Sequence, residues 1–77
     1  MIIDIRSQKK YDFGHIDGAI NINYYSLMLY PSNYLNKNDI YHIYCDTGVH
    51  SKILVNRLNS LGYKCVNIEG GYNNYLK

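Results

Sequence analysis

One run of five residues limits the possible folds more than any other feature of this 77-residue chain. Ile40–Tyr44 is an almost continuous stretch of β-branched and aromatic side chains, with His42 at its centre. Such a run is typical of a central parallel strand that is buried on both faces of its sheet. Cys45 follows directly, which places a thiol at the carboxyl end of the predicted strand.

The segment after this strand changes to a helical spacing. Its apolar positions recur on one face and are Leu54, Leu58 and Leu61. Gly62 follows at the position where glycine commonly ends a helix. We therefore predict a six-residue loop over 45–50 and a helix that begins near Ser51.

Shorter apolar runs and helix signals alternate along the rest of the chain. Strands are predicted over residues 1–5, 19–22 and 64–68. Helical pieces are predicted after the N-cap Ser7 as far as Phe13, on each side of Pro31 within 24–38, and over Tyr72–Leu76. This alternation predicts one α/β domain over residues 1–77, with a small, mainly parallel sheet of about four strands flanked by helices on both faces.

Composition excludes several classes of function. The formal net charge of +2 is too small for a nucleic-acid footprint. No stretch approaches the ~18 consecutive apolar residues of a membrane helix, and Met1 leads into Ile-Ile-Asp without the pattern of a signal peptide. We therefore expect a cytoplasmic protein without membrane contact, in which Cys45 and Cys65 stay reduced.

The loop after the central strand has the features of an anion site built around a nucleophile. Ligands in parallel sheets bind outside the carboxyl ends of the strands, where Cys45 lies. Backbone N–H groups of the loop and of the following helix should converge on its sulfur. Such donors stabilise a thiolate and lower the pKa of a cysteine. Gly48 supplies the backbone freedom, including positive φ, that a tight cradle requires.

Four sequence blocks, with Tyr11 between the first two, resemble those of rhodanese domains and come in the same order. They are Ile3-Asp-Ile-Arg6, Gly14-His-Ile-Asp-Gly-Ala19, Ile43-Tyr-Cys-Asp-Thr-Gly48 and Glu69-Gly-Gly-Tyr72. The resemblance implies a rhodanese-like fold and a sulfurtransferase that moves sulfane sulfur, from thiosulfate or a persulfide, to cyanide or a thiol. The implied site consists of the catalytic Cys45 and the substrate-binding residues Asp46, Thr47, Gly48, Val49, His50 and Ser51.

We expect no cofactor and, because the three His and two Cys lack metal-ligand spacing, no metal site. The expected partners are the small donor and the acceptor, which could be a protein thiol. Two departures from the family pattern change the charge of the site, and a third affects a turn. His50 stands where many relatives carry Arg or Lys, and an imidazole is only partly cationic at neutral pH. Asp46 adds a negative charge beside the site, so thiosulfate is expected to be a poor donor, while a thiol-borne persulfide stays possible. Asp17 replaces a common proline and should only loosen a turn.

The chain also begins at the strand that is second in most relatives. The strand over 64–68 should therefore lie at an edge of the sheet, where it could pair with a second copy. We expect a monomer or a weak homodimer.

Two other functions stay open. Phosphatases and arsenate reductases with a related loop carry Arg six positions after the cysteine, where this chain has Ser51. Without a guanidinium a phosphate loses its bidentate clamp. The second alternative is a catalytically weak binding module, in which the thiol of Cys45 would be unreactive.

The remaining polar candidates are interpreted as structural. Cys65 lies in an apolar strand, and His15 and His42 show no metal-ligand spacing. Asp4 and Arg6 are expected to form a surface ion pair that contributes about 0 to 1 kcal/mol.

Overall fold

The computed structural model describes all residues from 1 to 77. The strands are β1 (Ile2–Asp4), β2 (Ala19–Asn21), β3 (Ile40–Tyr44) and β4 (Lys64–Asn67). The helices are α1 (Gln8–Phe13), α2 (Tyr24–Leu29), α3 (Val49–Ser60) and α4 (Gly71–Tyr75), with a 3-10 turn at Pro31–Asn33. The four strands form one parallel sheet in the order β2-β1-β3-β4, which confirms the predicted α/β class. No helix combines the length and the apolar character needed to cross a membrane.

Helices cover both faces of the sheet. The larger core, of 12 buried residues, joins one sheet face to α2 and α3 and includes Ile3, Ile43 and Leu54. A smaller cluster on the opposite face contains Ile16, Ala19 and Tyr44, and it packs against Tyr11 of α1 and Tyr72 of α4. This division follows the alternation of side chains along a strand.

Local signals set the ends of several elements as predicted. Ser7 Oγ accepts a hydrogen bond from Lys10 N at 3.3 Å and caps α1. Pro31 separates α2 from the 3-10 turn, so two short helical pieces lie within residues 24–38, as predicted. Gly62 follows α3 with φ 99°, in the left-handed region that glycine tolerates.

Two predictions about β3 and α3 were wrong in part. The helix begins at Val49 rather than near Ser51, because Gly48 (φ 91°) takes the N-cap position and turns the chain two residues earlier. His50 and Ser51 therefore belong to the first helical turn. Burial of β3 on both faces holds only toward its carboxyl end, since the side chain of Ile40 is 55% exposed. The helices α1 and α4 do not cover its first half.

Strand β4 lies at an edge of the sheet, as predicted. Its only strand neighbour is β3, with Cys65 opposite Tyr41. The weak homodimer that such an edge suggests stays a prediction.

The expected surface ion pair is instead buried. Asp4 is inaccessible to solvent and Arg6 is 8% exposed. The Asp4 carboxylate accepts hydrogen bonds from Arg6 Nε at 3.0 Å and Nη2 at 2.7 Å, and from the Tyr44 hydroxyl at 2.7 Å. Burial follows from the rings above the guanidinium, because Arg6 Cζ lies 4.1 Å from the centroid of Tyr72. The pair therefore packs with Tyr44 and Tyr72 on the face of the sheet opposite the larger core.

Candidate active site

Cys45 lies at the carboxyl end of β3, where hydrogen-bond donors surround its sulfur. The side chain is 6% exposed. The amide of Gly48 donates to Sγ at 3.1 Å and the amide of Ser51 donates at 3.4 Å. Ser51 Oγ lies 3.4 Å from the same sulfur. The early start of α3 explains this convergence, since Gly48 turns the chain so that the first helical amides face back toward the strand.

These donors change the acidity of the thiol. Burial by itself raises the pKa of Cys45, but the hydrogen bond with the Ser51 side chain and those from the amides of Ser51, Thr47 and Gly48 together bring the pKa below its ordinary value. Cys65 has no such donors, and burial raises the pKa of that thiol to about 11. The two thiols are therefore chemically different, although both are free and buried.

A polar side chain of β4 connects the sheet to this cradle. Ser51 is inaccessible to solvent, and its hydroxyl donates to Asn67 Oδ1. Asn67 Nδ2 in turn donates to the carbonyl of Gly48 at 3.2 Å. When Cys45 loses its proton, the single hydroxyl hydrogen of Ser51 can turn to the sulfur. Asn67 thus positions Gly48 and Ser51, whose amides both donate to the sulfur.

The start of α4 fixes the loop from the other side. Tyr72 N donates to the carbonyl of Cys45 at 2.9 Å, and Asn73 N donates to that of Asp46 at 3.0 Å. Gly71 precedes them with φ 60°, and a Cβ on Gly71 would overlap those same two carbonyl oxygens. The second glycine of the Glu69-Gly-Gly-Tyr72 block is therefore required by close backbone approach.

We expect Gly71→Ala to destabilise the domain more than Gly18→Ala, its matched control. Both glycines have positive φ, which costs an alanine about 1 kcal/mol. Only at Gly71 does the added methyl also collide with backbone atoms, whereas nothing lies within 4 Å of it at Gly18. Urea unfolding monitored by circular dichroism measures both losses. Equal losses in the two variants would contradict the close approach.

A cavity of about 390 Å³ opens above the sulfur. Its lining consists of Ile5, Arg6, Tyr24, Tyr25, Cys45, Asp46 and His50. Of the predicted loop residues, Cys45, Asp46 and His50 face the cavity, whereas Gly48 and Ser51 lie beneath the sulfur. Thr47 contributes its amide to the cradle. Val49 is 62% exposed and does not line the cavity.

Sequence reasoning missed four lining residues and Asn67. Ile5 and Arg6 follow the carboxyl end of β1, next to β3, so their approach to Cys45 could have been inferred from strand order. Tyr24 and Tyr25 open α2, and nothing in their sequence pattern distinguishes them from the other tyrosines of the chain. Only the packing of α2 against α3 brings them to the cavity.

The difference in pKa predicts selective alkylation. A thiol of lower pKa is ionised at lower pH, so Cys45 should react with iodoacetamide at a lower pH than an ordinary thiol, while Cys65 stays unmodified until strongly alkaline pH. Rates at each cysteine are measured by peptide mass spectrometry across a pH series. Ser51→Ala should shift the Cys45 profile to higher pH. A Cys45 profile that coincides with that of Cys65 would contradict the stabilised thiolate.

Fold and site together define an α/β domain that holds a buried cysteine sulfur among backbone amides at the carboxyl ends of the strands of a parallel sheet. The sequence model of the rhodanese-like domain matches residues 1–77, and the chain therefore belongs to the rhodanese-like domain family.

Solved structures support the same assignment. The chain is 38% identical to a rhodanese-like domain protein from Staphylococcus aureus, with a TM-score of 0.78, over 91% of this chain and 68% of that one. It is 29% identical to a rhodanese-related protein from Thermoplasma volcanium, with a TM-score of 0.87, over 97% of this chain and 74% of that one.

A curated relative is much longer. The adenylyltransferase and sulfurtransferase uba4 of Ogataea parapolymorpha is 30% identical over 71 residues, which cover 91% of this chain and 18% of the relative. The present chain thus spans about a fifth of that protein's length.

Proposed function

We propose that this domain transfers sulfane sulfur through a persulfide on Cys45. The observation that carries the proposal is the set of polar groups on one buried sulfur: the amides of Gly48 and Ser51 donate to it, and the hydroxyl of Ser51, at 3.4 Å, can turn to donate once Cys45 loses its proton. Donors fixed around a single atom favour its anionic form. They favour a thiolate before the reaction, and the persulfide anion needs the same kind of stabilisation after it.

The reaction divides into two half-reactions at this sulfur. In the first, the thiolate of Cys45 attacks the outer sulfur of the donor, a bond forms between the two sulfurs, and the electron pair of the donor's broken sulfur bond leaves with the remaining group. In the second, a thiolate or cyanide attacks the terminal sulfur, takes it and returns Cys45 to a thiolate. Sulfur changes carrier, and no external oxidant or reductant is consumed. Free thiols suit a reducing compartment such as the cytoplasm.

Phosphate chemistry has less support from this geometry. The one guanidinium at the cavity belongs to Arg6, and its Nε and Nη2 are engaged by the Asp4 carboxylate. Position 51, six residues after the cysteine, is a serine. No bidentate fork is therefore free to hold a phosphate. A binding module would need an unreactive thiol, which the donors around Cys45 argue against.

Steady-state kinetics test the proposal. Initial rates of thiocyanate formation are measured with methanethiosulfonate and cyanide varied against each other. Because the donor's leaving group departs before the acceptor reacts, double-reciprocal plots should give parallel lines. Intersecting lines would show that both substrates must be bound together, and would contradict the covalent carrier.

A further inference from the structure

The fixed charges around the cavity occur as pairs. Arg6 is bound by Asp4 through two nitrogens and also donates to the carbonyl of Gly14 at 2.7 Å. Lys10 Nζ contacts Asp46 Oδ2 at 2.7 Å, and Arg6 Nη1 lies 3.8 Å from Asp46 Oδ1. Two cations are therefore matched by two carboxylates. A dianion such as thiosulfate would enter beside Asp46 without a free permanent cation to receive it.

The opposite wall of the cavity is aromatic. The rings of Tyr24 and Tyr25 meet edge to face with centroids 5.2 Å apart, and the imidazole of His50 stands 6.2 Å from Tyr24 at a steep angle. None of these three side chains donates or accepts a hydrogen bond within the protein. Tyr25 is 68% exposed, so its ring has an open face. Ile5 completes the apolar lining.

The cavity is also larger than a small inorganic anion requires. Its volume of about 390 Å³ falls within the range of pockets that hold organic molecules, which begins at ~300 Å³. Aromatic side chains favour ring and alkyl groups, with ring pairs contributing up to ~1.5 kcal/mol beyond the area they bury. Size, lining and charge therefore point to the same kind of ligand.

We propose that the sulfur donor carries an organic group and a single negative charge, and that Tyr24 and Tyr25 determine this specificity by packing against the organic group. The inference rests on the proposed function and names the substrate class of that site. In a donor R–S–S⁻ or R–SO₂–S⁻, the Cys45 thiolate attacks the terminal sulfur. The sulfur–sulfur bond of the donor breaks, and its electron pair leaves on the thiolate R–S⁻ or the sulfinate R–SO₂⁻. The persulfide stays on Cys45.

Three stable donors separate charge from organic character. Benzenethiosulfonate and methanethiosulfonate are both monoanions and differ in the ring, whereas thiosulfate is a dianion without an organic group. With cyanide as acceptor, we expect kcat/KM to be about tenfold higher for benzenethiosulfonate than for methanethiosulfonate. Thiosulfate should be the poorest of the three. Comparable values for all three donors would overturn the inference.

Variants assign the preference to the tyrosines. Tyr25→Ala should lower the ratio of kcat/KM for benzenethiosulfonate to that for methanethiosulfonate about fivefold, with the change mainly in KM. Tyr30→Ala is the matched control, because Tyr30 is also exposed, at 60%, and lies at the end of the same helix outside the cavity. The ratio should be unchanged there. An equal fall in both variants, or in neither, would overturn the role of Tyr25.

A charge variant completes the test. His50→Arg supplies a permanent cation in addition to Arg6, which Asp4 already binds, so thiosulfate use should rise about fivefold relative to methanethiosulfonate. No gain would contradict the charge argument. If none of the three donors yields thiocyanate, the proposed sulfur transfer itself fails, an outcome distinct from transfer without preference.

Discussion

Replacing Cys45 with serine is expected to reduce sulfur transfer at least about 1000-fold, to the level of the uncatalysed reaction. A serine hydroxyl cannot carry sulfane sulfur as a persulfide, and it is not ionised at neutral pH. The amides of Gly48 and Ser51 would still surround the position, but without a nucleophile they have no intermediate to stabilise. Thiocyanate formation measures the activity, and circular dichroism verifies the fold.

Cys65→Ala is the matched control for this prediction. Cys65 is buried in β4, and its sulfur takes part in no hydrogen bond. The substitution should cost about 1 kcal/mol of stability through lost packing and should leave sulfur transfer within twofold. Equal losses of activity in the two variants, or substantial activity in Cys45→Ser, would contradict the assignment of the nucleophile.

The second large effect concerns stability, at Asp4. We expect Asp4→Ala to lower the free energy of unfolding by about 3 kcal/mol or more, since it removes the carboxylate that binds the buried guanidinium of Arg6 through two nitrogens and leaves only Asp46, at 3.8 Å. It also removes the acceptor of the Tyr44 hydroxyl, whose pKa is raised by burial first and by the Asp4 carboxylate next. A domain of this length has a total stability of about 4 to 12 kcal/mol, so the variant should be close to unfolding.

Asp12→Ala is the control, because Asp12 lies exposed on α1 and makes no hydrogen bond or ion pair through its side chain. It should change the free energy of unfolding by less than about 0.5 kcal/mol. Urea titration at low and high salt measures both variants. If Asp4→Ala lost as little free energy of unfolding as Asp12→Ala, the Asp4–Arg6 pair would contribute no more than the surface ion pair that the sequence predicted.

The pattern of the sequence identifies the elements well, because strands and helices in this chain carry strong local signals. Ile40–Tyr44, the Ser7 cap and the Gly62 terminus each follow from short-range chemistry. The position of Cys45 at the carboxyl end of a central strand follows from the apolar run that precedes it. These features do not depend on how distant segments pack.

Features that depend on packing were less accessible to prediction. The spacing of Asp4 and Arg6 cannot show that Tyr44 and Tyr72 cover the pair, because those rings come from distant parts of the chain. The aromatic wall likewise forms only when α2 docks beside α3. The sequence therefore predicted the position of Cys45 at the end of β3, while the chemistry of the surrounding cavity required the three-dimensional structure.

The conformation of Gly48 shows how one residue controls the site. Its left-handed backbone starts α3 two residues earlier than the apolar spacing indicated. As a consequence, His50 and Ser51 both belong to the first turn of α3. The cradle is therefore fixed by regular structure on the helical side and by the start of α4 on the other.

The most direct measurement is the intact mass of the reduced protein after incubation with benzenethiosulfonate and removal of excess donor. The proposal predicts a gain equal to one sulfur atom, which cyanide or dithiothreitol reverses and which Cys45→Ser does not acquire. A mass that stays unchanged in the unmodified protein, or a gain that persists in Cys45→Ser, would contradict a persulfide on Cys45.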